Sequence, residues 1–356
     1  MIVFAWSGFP QYAARCVGAF VRACPSYQVV VFATRPRVPV TGMEKLAMCP
    51  VYWIDSSKSL QCQLRSEFDV NLDRISILFE NGWNIKPFND LRDEVKKRGN
   101  PVVCMIDNNL QLYGVKILVE VVKAIRFRGF LSKHYDGYFV PGKAGEKLLS
   151  FYGNKKKPIL RGYYSADNRL FNMGGGIDSR QKKVLYVGQF CKRKNVVKMI
   201  RAFMCANTQK QWTLELYGNG PLRRLIDIMA EKSEGCVKVY DFMQPECLAQ
   251  KYKEAKIFCL PSMEEHWGLV VHEAALSGCA LCLSNRVGAA EDMLCAENGN
   301  SFNPSNIKDI AEKMSLLMNM TDSEMLTAQK ASLEKAKTAS IEQFVRAVSE
   351  FIKMFV

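Results

Sequence analysis

Short runs of consecutive apolar residues alternate along the chain with longer stretches whose apolar positions recur every three or four residues. The runs Ile2–Trp6, Val29–Ala33, Ile75–Phe79, Pro101–Ile106 and Asp136–Val140 predict buried strands. Between them, Tyr12–Ala23, Pro87–Lys97 and Leu112–Phe127 predict helices. The grammar then starts again. Strands are expected at Lys183–Val187, Trp212–Tyr217, Val237–Tyr240, Ile257–Leu260 and Ala280–Ser284. Helices are expected at Lys194–Asn207, Leu222–Glu231, Gln244–Glu254, Gly268–Ser277 and Ile307–Met318. Strands this uniformly apolar, separated by amphipathic helices, predict parallel sheets covered on both faces. Each strand of the second half ends in a Gly-, Pro- or Ser-containing turn, where open α/β sheets bind ligands.

The repetition predicts two Rossmann-like domains with a cleft between them. Three consecutive glycines make Asn172–Ser179 the expected linker, because glycine is costly inside an element. At 356 residues, two domains are also the expectation from length. The terminal stretch Ser340–Met354 reads as one more amphipathic helix.

Apolar residues at 48% and charged residues at 24% fit a globular enzyme and exclude extensive disorder. Thirteen cysteines scattered through apolar segments read as reduced, buried thiols, which predicts a reducing, cytoplasmic compartment. No secretory leader is read at Met1, and no apolar run approaches the roughly 20 residues of a bilayer span. The net charge is +14, and it is uneven: residues 1–165 hold 24 basic and 13 acidic side chains, the remainder 25 and 22. The first half is therefore expected to face something anionic, either phospholipid, a diphosphate-linked acceptor or nucleic acid, unless the charge is only solubilising.

The stretch Leu260–Gly278 carries the most chemistry. A strand ends at Pro261-Ser262, a loop bears Glu265, and a helix starts near Gly268 with Glu273 more than a turn inside it. Backbone N–H groups at that helix start suit a phosphate. Carboxylates suit sugar and ribose hydroxyls, because each accepts two such donors. Glu273 is flanked by Val270, Val271, Ala274 and Ala275, which argues against a merely solvated face.

This segment resembles the signature of glycosyltransferase family 4, retaining enzymes of GT-B architecture: Pro-Ser, an acid, a Gly-aromatic-Gly turn, then two glutamates with seven residues between them. Val187-Gly188-Gln189 through Lys194-Asn195 resembles the family's diphosphate-binding turn, and Tyr217-Gly218-Asn219-Gly220-Pro221 its Gly-x-Gly-Pro turn. Val140–Gly153 followed by Asp167–Phe171 resembles its interdomain passage. The likeness runs from about residue 136 to 316. It implies an acceptor-binding domain over 1–170, joined by a C-terminal helix (about 338–356) that crosses back to it, and a nucleotide-sugar-binding domain over 171–337, facing a central cleft. Glu273 would hold the donor ribose and Glu265 the sugar hydroxyls near the reacting carbon. Lys194, with the backbone at Gly268 and Leu269, would neutralise the diphosphate, and Gly8, Gly188 and Gly218 would let backbone approach the donor. The resemblance further implies an enzyme of the hexosyltransferase type (class 2.4). It would act on a UDP- or GDP-sugar and a glycan or lipid-linked acceptor in surface polysaccharide or glycolipid assembly.

Three departures matter. Gln189 stands where the family usually has Arg, leaving Lys192 and Arg193 as nearby cations. His266 replaces a usual glycine and becomes a pocket residue by position. The family's His at the end of the fourth strand is missing, with Asp107 or Asn108 as the local substitute. No Asp-x-Asp occurs, so metal-independent transfer without cofactor is expected, with the leaving phosphate assisting deprotonation of the acceptor.

Other signals are discounted. Cys279-Ala-Leu-Cys282 lacks a second ligand pair for zinc. His272 reads as structural, Lys155–Lys157 as a solvated turn. Gly218-Asn-Gly220 is a weak dinucleotide hint, with no acid read about 20 positions later after a matching strand. The stretch Leu112–Phe130 interleaves Lys116, Lys123, Arg126 and Arg128 with Ile117, Leu118, Val121, Val122, Ile125 and Phe127. It reads either as a surface for an anionic membrane, peripheral on the inner face, or as a helix packed on its sheet. A sugar-nucleotide binder without turnover is the alternative function. A nucleic-acid binder is the lesser one, since no such motif is recognised.

Overall fold

The computed structural model describes residues 1–36, 42–66, 68, 70–81, 85–154, 156–173 and 180–356. The chain divides into two compact units, one of Met1–Ser165 with Ile341–Val356 and one of Ala166–Ser340. Of the expected linker 172–179, residues 174–179 lie outside the described residues, as does Lys155.

The first unit runs β1 (Ile2–Trp6), α1 (Gln11–Ala23), β2 (Val29–Ala33), α2 (Met43–Ala47), β3 (Val51–Trp53), α3 (Leu60–Ser66), β4 (Ile77–Glu80) and α4 (Lys86–Lys97). It continues with β5 (Val102–Met105), α5 (Lys116–His134), β6 (Gly137–Val140), α6 (Lys143–Phe151) and β7 (Ile159–Arg161). The strands form one parallel sheet in the order β3-β2-β1-β4-β5-β6-β7. Alternate residues feed two cores. Phe4, Val31, Phe79 and Phe139 face α1. Val3, Phe32, Leu78 and Tyr138 face α4 on the other side.

The second unit runs β8 (Gln181–Val187), α7 (Val196–Ala206), β9 (Thr213–Tyr217), α8 (Arg223–Glu231), β10 (Val237–Tyr240), α9 (Pro245–Glu254) and β11 (Ala255–Leu260). It ends with α10 (Leu269–Leu276), β12 (Ala280–Ser284), α11 (Ala290–Met293), β13 (Gly299–Phe302), α12 (Ile307–Met318) and α13 (Asp322–Ala336). Its parallel sheet has the order β10-β9-β8-β11-β12-β13. Both sheets are therefore doubly wound, and strand order reverses between β1 and β4 and between β8 and β11. In such sheets the crevice for a ligand opens at the carboxyl ends of the strands at that reversal.

The last helix, α14 (Ile341–Phe355), belongs to the first unit. Its buried residues Ile341, Phe344, Ala347, Val348, Phe351 and Ile352 repeat at helical spacing. Phe344 stacks near Phe4, with centroids 6.1 Å apart, and Phe351 meets Phe79 and Phe139 edge-on at 5.9 Å. Gly137 makes room for it, because a Cβ there would sit 2.9 Å from the Phe351 ring. Two Rossmann-like units plus a C-terminal helix returning to the first define the GT-B architecture.

Several elements differ from the sequence expectation. β4 starts at Ile77, because Ile75 closes a 3-10 turn over Leu72–Arg74, and it ends one residue later, on buried Glu80. The strand tolerates that acid because Arg92 pairs with it at 3.4 Å and the Tyr135 hydroxyl donates to it at 3.1 Å. α5 begins at Lys116 and runs on to His134. Of the stretch resembling an interdomain passage, Val140–Gly153 forms the end of β6 and all of α6 in the first unit, and Asp167–Phe171 falls in the second.

Replacing Phe351 with alanine should destabilise the first unit by roughly 3–5 kcal/mol, the usual range for an emptied aromatic site. Urea unfolding reads it as a lower midpoint at unchanged slope. A loss below about 1 kcal/mol would mean that α14 is not part of the core.

Candidate functional site

The loops after β8 and β11 meet at the strand-order reversal of the second sheet, and the side chains there are set by backbone. Asn195, in a left-handed conformation at the start of α7, donates its amide to Pro261 O at 3.1 Å and Pro304 O at 2.8 Å. The Met263 N–H donates to Arg193 O at 2.8 Å, and Arg193 Nη1 donates to Glu264 O at 2.7 Å. These bonds fix Lys194 opposite Glu265.

Lys194 Nζ donates to a Glu265 carboxylate oxygen in a close ion pair, both side chains being almost withdrawn from solvent. Arg193 Nη1 lies 3.6 Å from the same oxygen, and Ser262 Oγ donates to it at 3.1 Å. Two cations thus converge on one carboxylate. Glu265 is anchored by its own backbone as well: its N–H donates to Arg286 O at 3.3 Å and its O accepts from Gly288 N at 3.1 Å.

Gly268 turns the chain into α10 at φ +93, where a side chain would be strained and its Cβ would press to 3.1 Å from Glu265 Cγ. Among the described residues no side chain caps α10, and its first turn carries no acid. The N–H groups of Leu269 and its neighbour therefore sit at an uncapped, electropositive terminus. Gly218 is equally constrained. A Cβ there would fall 2.0 Å from Gly188 O, so the turns after β8 and β9 can stack only because residue 218 is glycine. A Cβ on Gly188 would in turn lie 2.9 Å from the Tyr186 hydroxyl and 3.9 Å from Lys194 Cε.

Glu273 is the fifth residue of α10. The Tyr252 hydroxyl donates to it at 2.8 Å. Burial pushes its pKa from an ordinary 4.5 up to about 7, against the opposite pull of that hydrogen bond. His266 sits on the outer side of the loop with Nε2 4.0 Å from Glu264 Oε1. The structure therefore brings Gly188, Lys194, Gly218, Glu265, Gly268 and Leu269 together, with Glu273 further along the helix that starts there and His266 at the edge.

Gly8, Asp107 and Asn108 belong to the first unit. Gly8 follows β1 at φ +63, and its N–H already donates to Thr34 Oγ1 at 2.8 Å. Asp107 follows β5 and accepts a 2.6 Å hydrogen bond from the Tyr164 hydroxyl. Sequence reasoning missed Tyr252, Ser262 and Tyr164, the partners that orient the three acids. Only the Ser262 position, three residues before Glu265, carried a signal.

Gln189 presents its side chain to solvent, while its backbone O accepts from Tyr186 at 2.9 Å. Arg193 therefore contributes the second cation near Glu265. His272 is buried and neutral: Nδ1 accepts from the Ala166 N–H at 3.0 Å, Nε2 lies 2.9 Å from Ala336 O, and burial lowers its pKa to about 4. An acid does follow a strand after the Gly218 turn. Asp241, next after β10, accepts from Arg223 and from Asn219 Nδ2, and so braces that turn. Among the described residues no cluster of His, Cys, Asp or Glu side chains could hold a metal ion.

A family model described as glycosyl transferases group 1 matches residues 171–334, somewhat less than half of the chain. A protein of Methanocaldococcus jannaschii described as an uncharacterized glycosyltransferase is 27% identical over 143 residues. That match covers 40% of this chain and 37% of the relative, so the chain matches well under half of that protein. Among solved structures, sucrose-phosphate synthase from Thermosynechococcus elongatus superposes with a TM-score of 0.74 at 16% identity, covering 99% of this chain and 98% of that one. Anabaena HepE, in complex with UDP and glucose, superposes with a TM-score of 0.75 at 13% identity over 100% of both chains. At such identities the likeness is one of fold, and the fold is GT-B.

The raised pKa of Glu273 sets a pH dependence. Between its ordinary 4.5 and about 7 the folded protein holds a proton that the unfolded chain has released, so stability falls as pH rises through that window. Buried Glu80, also raised to about 7, adds to the same slope. Glu273→Gln should flatten the fall in melting temperature between pH 5 and pH 8 (, roughly that window), leaving the Glu80 part. An unchanged slope in the variant would remove Glu273 as its source.

Proposed function

We propose that the protein is a retaining, nucleotide-sugar-dependent glycosyltransferase of family 4 type, a hexosyltransferase of class 2.4. The observation that carries the reading is the Lys194–Glu265 pair beside the uncapped start of α10, with Glu273 on the same helix. A sugar diphosphate needs these features: a cation and helix N–H groups for phosphate, and carboxylates for hydroxyls. HepE's complexes with UDP, glucose and UDP-glucose add support from a protein of the same fold. The second unit is then the donor domain and the first the acceptor domain.

On this reading, the donor's diphosphate takes over Lys194 and the N–H groups at Gly268 and Leu269, which frees Glu265 for the sugar hydroxyls. Glu273 accepts from the ribose hydroxyls. As the bond from the anomeric carbon to phosphate oxygen breaks, the charge growing on that oxygen is met by groups already in position, which lowers the barrier. The same leaving oxygen takes the proton of the acceptor hydroxyl, and the new bond forms on the face it has left, so configuration is retained. Lysine and helix terminus supply the positive charge, so no metal is required. Asp107, held by Tyr164, with Asn108, orients the acceptor. The donor is a UDP- or GDP-sugar. The acceptor is a glycan or lipid-linked glycan in surface polysaccharide assembly, at the inner, cytoplasmic side of a membrane.

A sugar-nucleotide binder without turnover is the second reading, favoured by Gln189, which adds no cation. Thermal-shift titration with UDP-, GDP- and ADP-sugars, without metal, should show stabilisation by one nucleotide class that is lost in Glu273→Ala. Glu265→Gln should keep binding yet transfer about 100-fold or more slowly. The product should keep the donor's anomeric configuration by NMR. Equal stabilisation of wild type and Glu273→Ala would displace the donor site, and an inverted product would overturn retention. Binding without transfer to any acceptor would favour the second reading.

A further inference from the structure

A helix that crosses over between two parallel strands ordinarily turns its aliphatic side chains to the sheet. α5 does the reverse over its first three turns. Glu120 is buried, while Ile117, Leu118, Val121, Val122 and Ile125 are exposed, Leu118, Val122 and Ile125 to 70%, 63% and 77%. The inverted packing is held by polar and aromatic contacts on the inner side. The Tyr152 hydroxyl donates to one Glu120 oxygen at 3.0 Å and Lys123 Nζ to the other at 2.8 Å. Further along, Phe127 stacks on Tyr152 at 6.5 Å and Leu131 is buried.

At about 100° per residue, Leu118, Val122 and Ile125 fall within an arc of about 60°. Val121 lies on one side of that arc. Arg126 and Lys133 border the apolar face on one flank and Arg128 on the other, and all three are exposed. The helix carries five Lys and Arg residues, and its one acid is the buried Glu120. Its outward face is thus aliphatic at the centre, cationic at the rim and free of negative charge.

We propose that this face of α5 docks on an anionic lipid bilayer, with Leu118, Val122 and Ile125 entering the acyl boundary and Arg126, Arg128 and Lys133 meeting lipid phosphates. Charge complementarity selects this occupant. An aliphatic strip with a purely basic rim matches a negatively charged leaflet, and the excess of 24 basic over 13 acidic residues in 1–165 extends the same field around it. A second copy of the chain would bring the same basic rim against itself, which repels. No described helix is long and apolar enough to cross a membrane, so the contact is interfacial. The inference stands on α5 alone and does not rest on the transferase reading.

The test is vesicle flotation of the full chain without donor or acceptor, on phosphatidylcholine alone and on phosphatidylcholine mixed with phosphatidylglycerol. Wild type should float with the mixed vesicles only, and less in high salt. Leu118→Asn with Ile125→Asn, and separately Arg126→Glu with Lys133→Glu, should each weaken binding about tenfold or more. Because these side chains are exposed, melting temperatures should stay within a few degrees of wild type. Binding that is absent, or equal on neutral vesicles, or unmoved by both double variants, would overturn the proposal. So would light scattering that shows a dimer converted to monomer by Leu118→Asn with Ile125→Asn, since a second copy would then be the occupant. If the aliphatic variant failed to fold, the charge variant alone would decide.

Discussion

The second unit's chemistry depends on one constraint: two loops that belong to different strands must hold a lysine against a glutamate at the reversal of strand order. An ion pair this withdrawn from water gains little stability by itself, because desolvating both charges offsets their attraction. Its geometry therefore has to come from elsewhere. It comes from neutral bonds, Asn195 to Pro261 and Pro304, Met263 to Arg193, Glu265 to Arg286 and Gly288, which position backbone rather than charge. The glycines serve the same end. Gly218 lets two turns stack and Gly268 lets α10 start beside Glu265, each where a methyl group would collide. The result is a site whose charged groups are pre-placed by contacts that need not break when those charges change partners.

The first unit uses a buried carboxylate differently. Glu80 and Glu120 are both withdrawn from water, and both are satisfied by a tyrosine and a cation, Tyr135 with Arg92 and Tyr152 with Lys123. In β4 this motif lets an acid end a core strand. In α5 it lets an acid occupy the face that an aliphatic residue would normally take, which turns the aliphatic residues outward. The cost of burying Glu120 is offset locally by two hydrogen bonds, so nothing in the packing of α5 forces its exposed face to be apolar.

Most of the architecture was legible because it rests on period. Five-residue apolar strands such as β1 and β12 and helices with a clean apolar stripe such as α12 and α14 appear in the chain with almost their final bounds. What escaped has physical reasons. β3 and β7 are three-residue edge strands, too short for a pattern, and β13 is four residues containing Asn300 and Ser301. α13 was announced by Thr321 and Glu324, a capping box that the structure forms, but its apolar stripe is weak and the signal went unread. α5 carried both possible orientations in its sequence, since nothing local says that Glu120 will find Tyr152, 32 residues on. The candidate site followed the same rule. Glu265, Glu273 and Lys194 stood out by spacing and resemblance, whereas Tyr252 and Tyr164 act through contacts 21 and 57 residues apart that no local motif encodes.

Tyr252 deserves its place beside Glu273 for a reason of charge. A carboxylate that burial holds near pKa 7 is divided between two protonation states at neutral pH. In the uncharged state it can donate, in the charged state only accept. The Tyr252 hydroxyl donates to it and so favours the charged form, the form that a second pair of donating hydroxyls would also select. Two hydroxyls of a vicinal diol would thus complete what Tyr252 begins, and their binding would draw the proton off. Glu265 instead pairs with Lys194 and lies close to Arg193. The two glutamates, with seven residues between them on one loop and helix, are kept in different electrostatic surroundings by what packs against each.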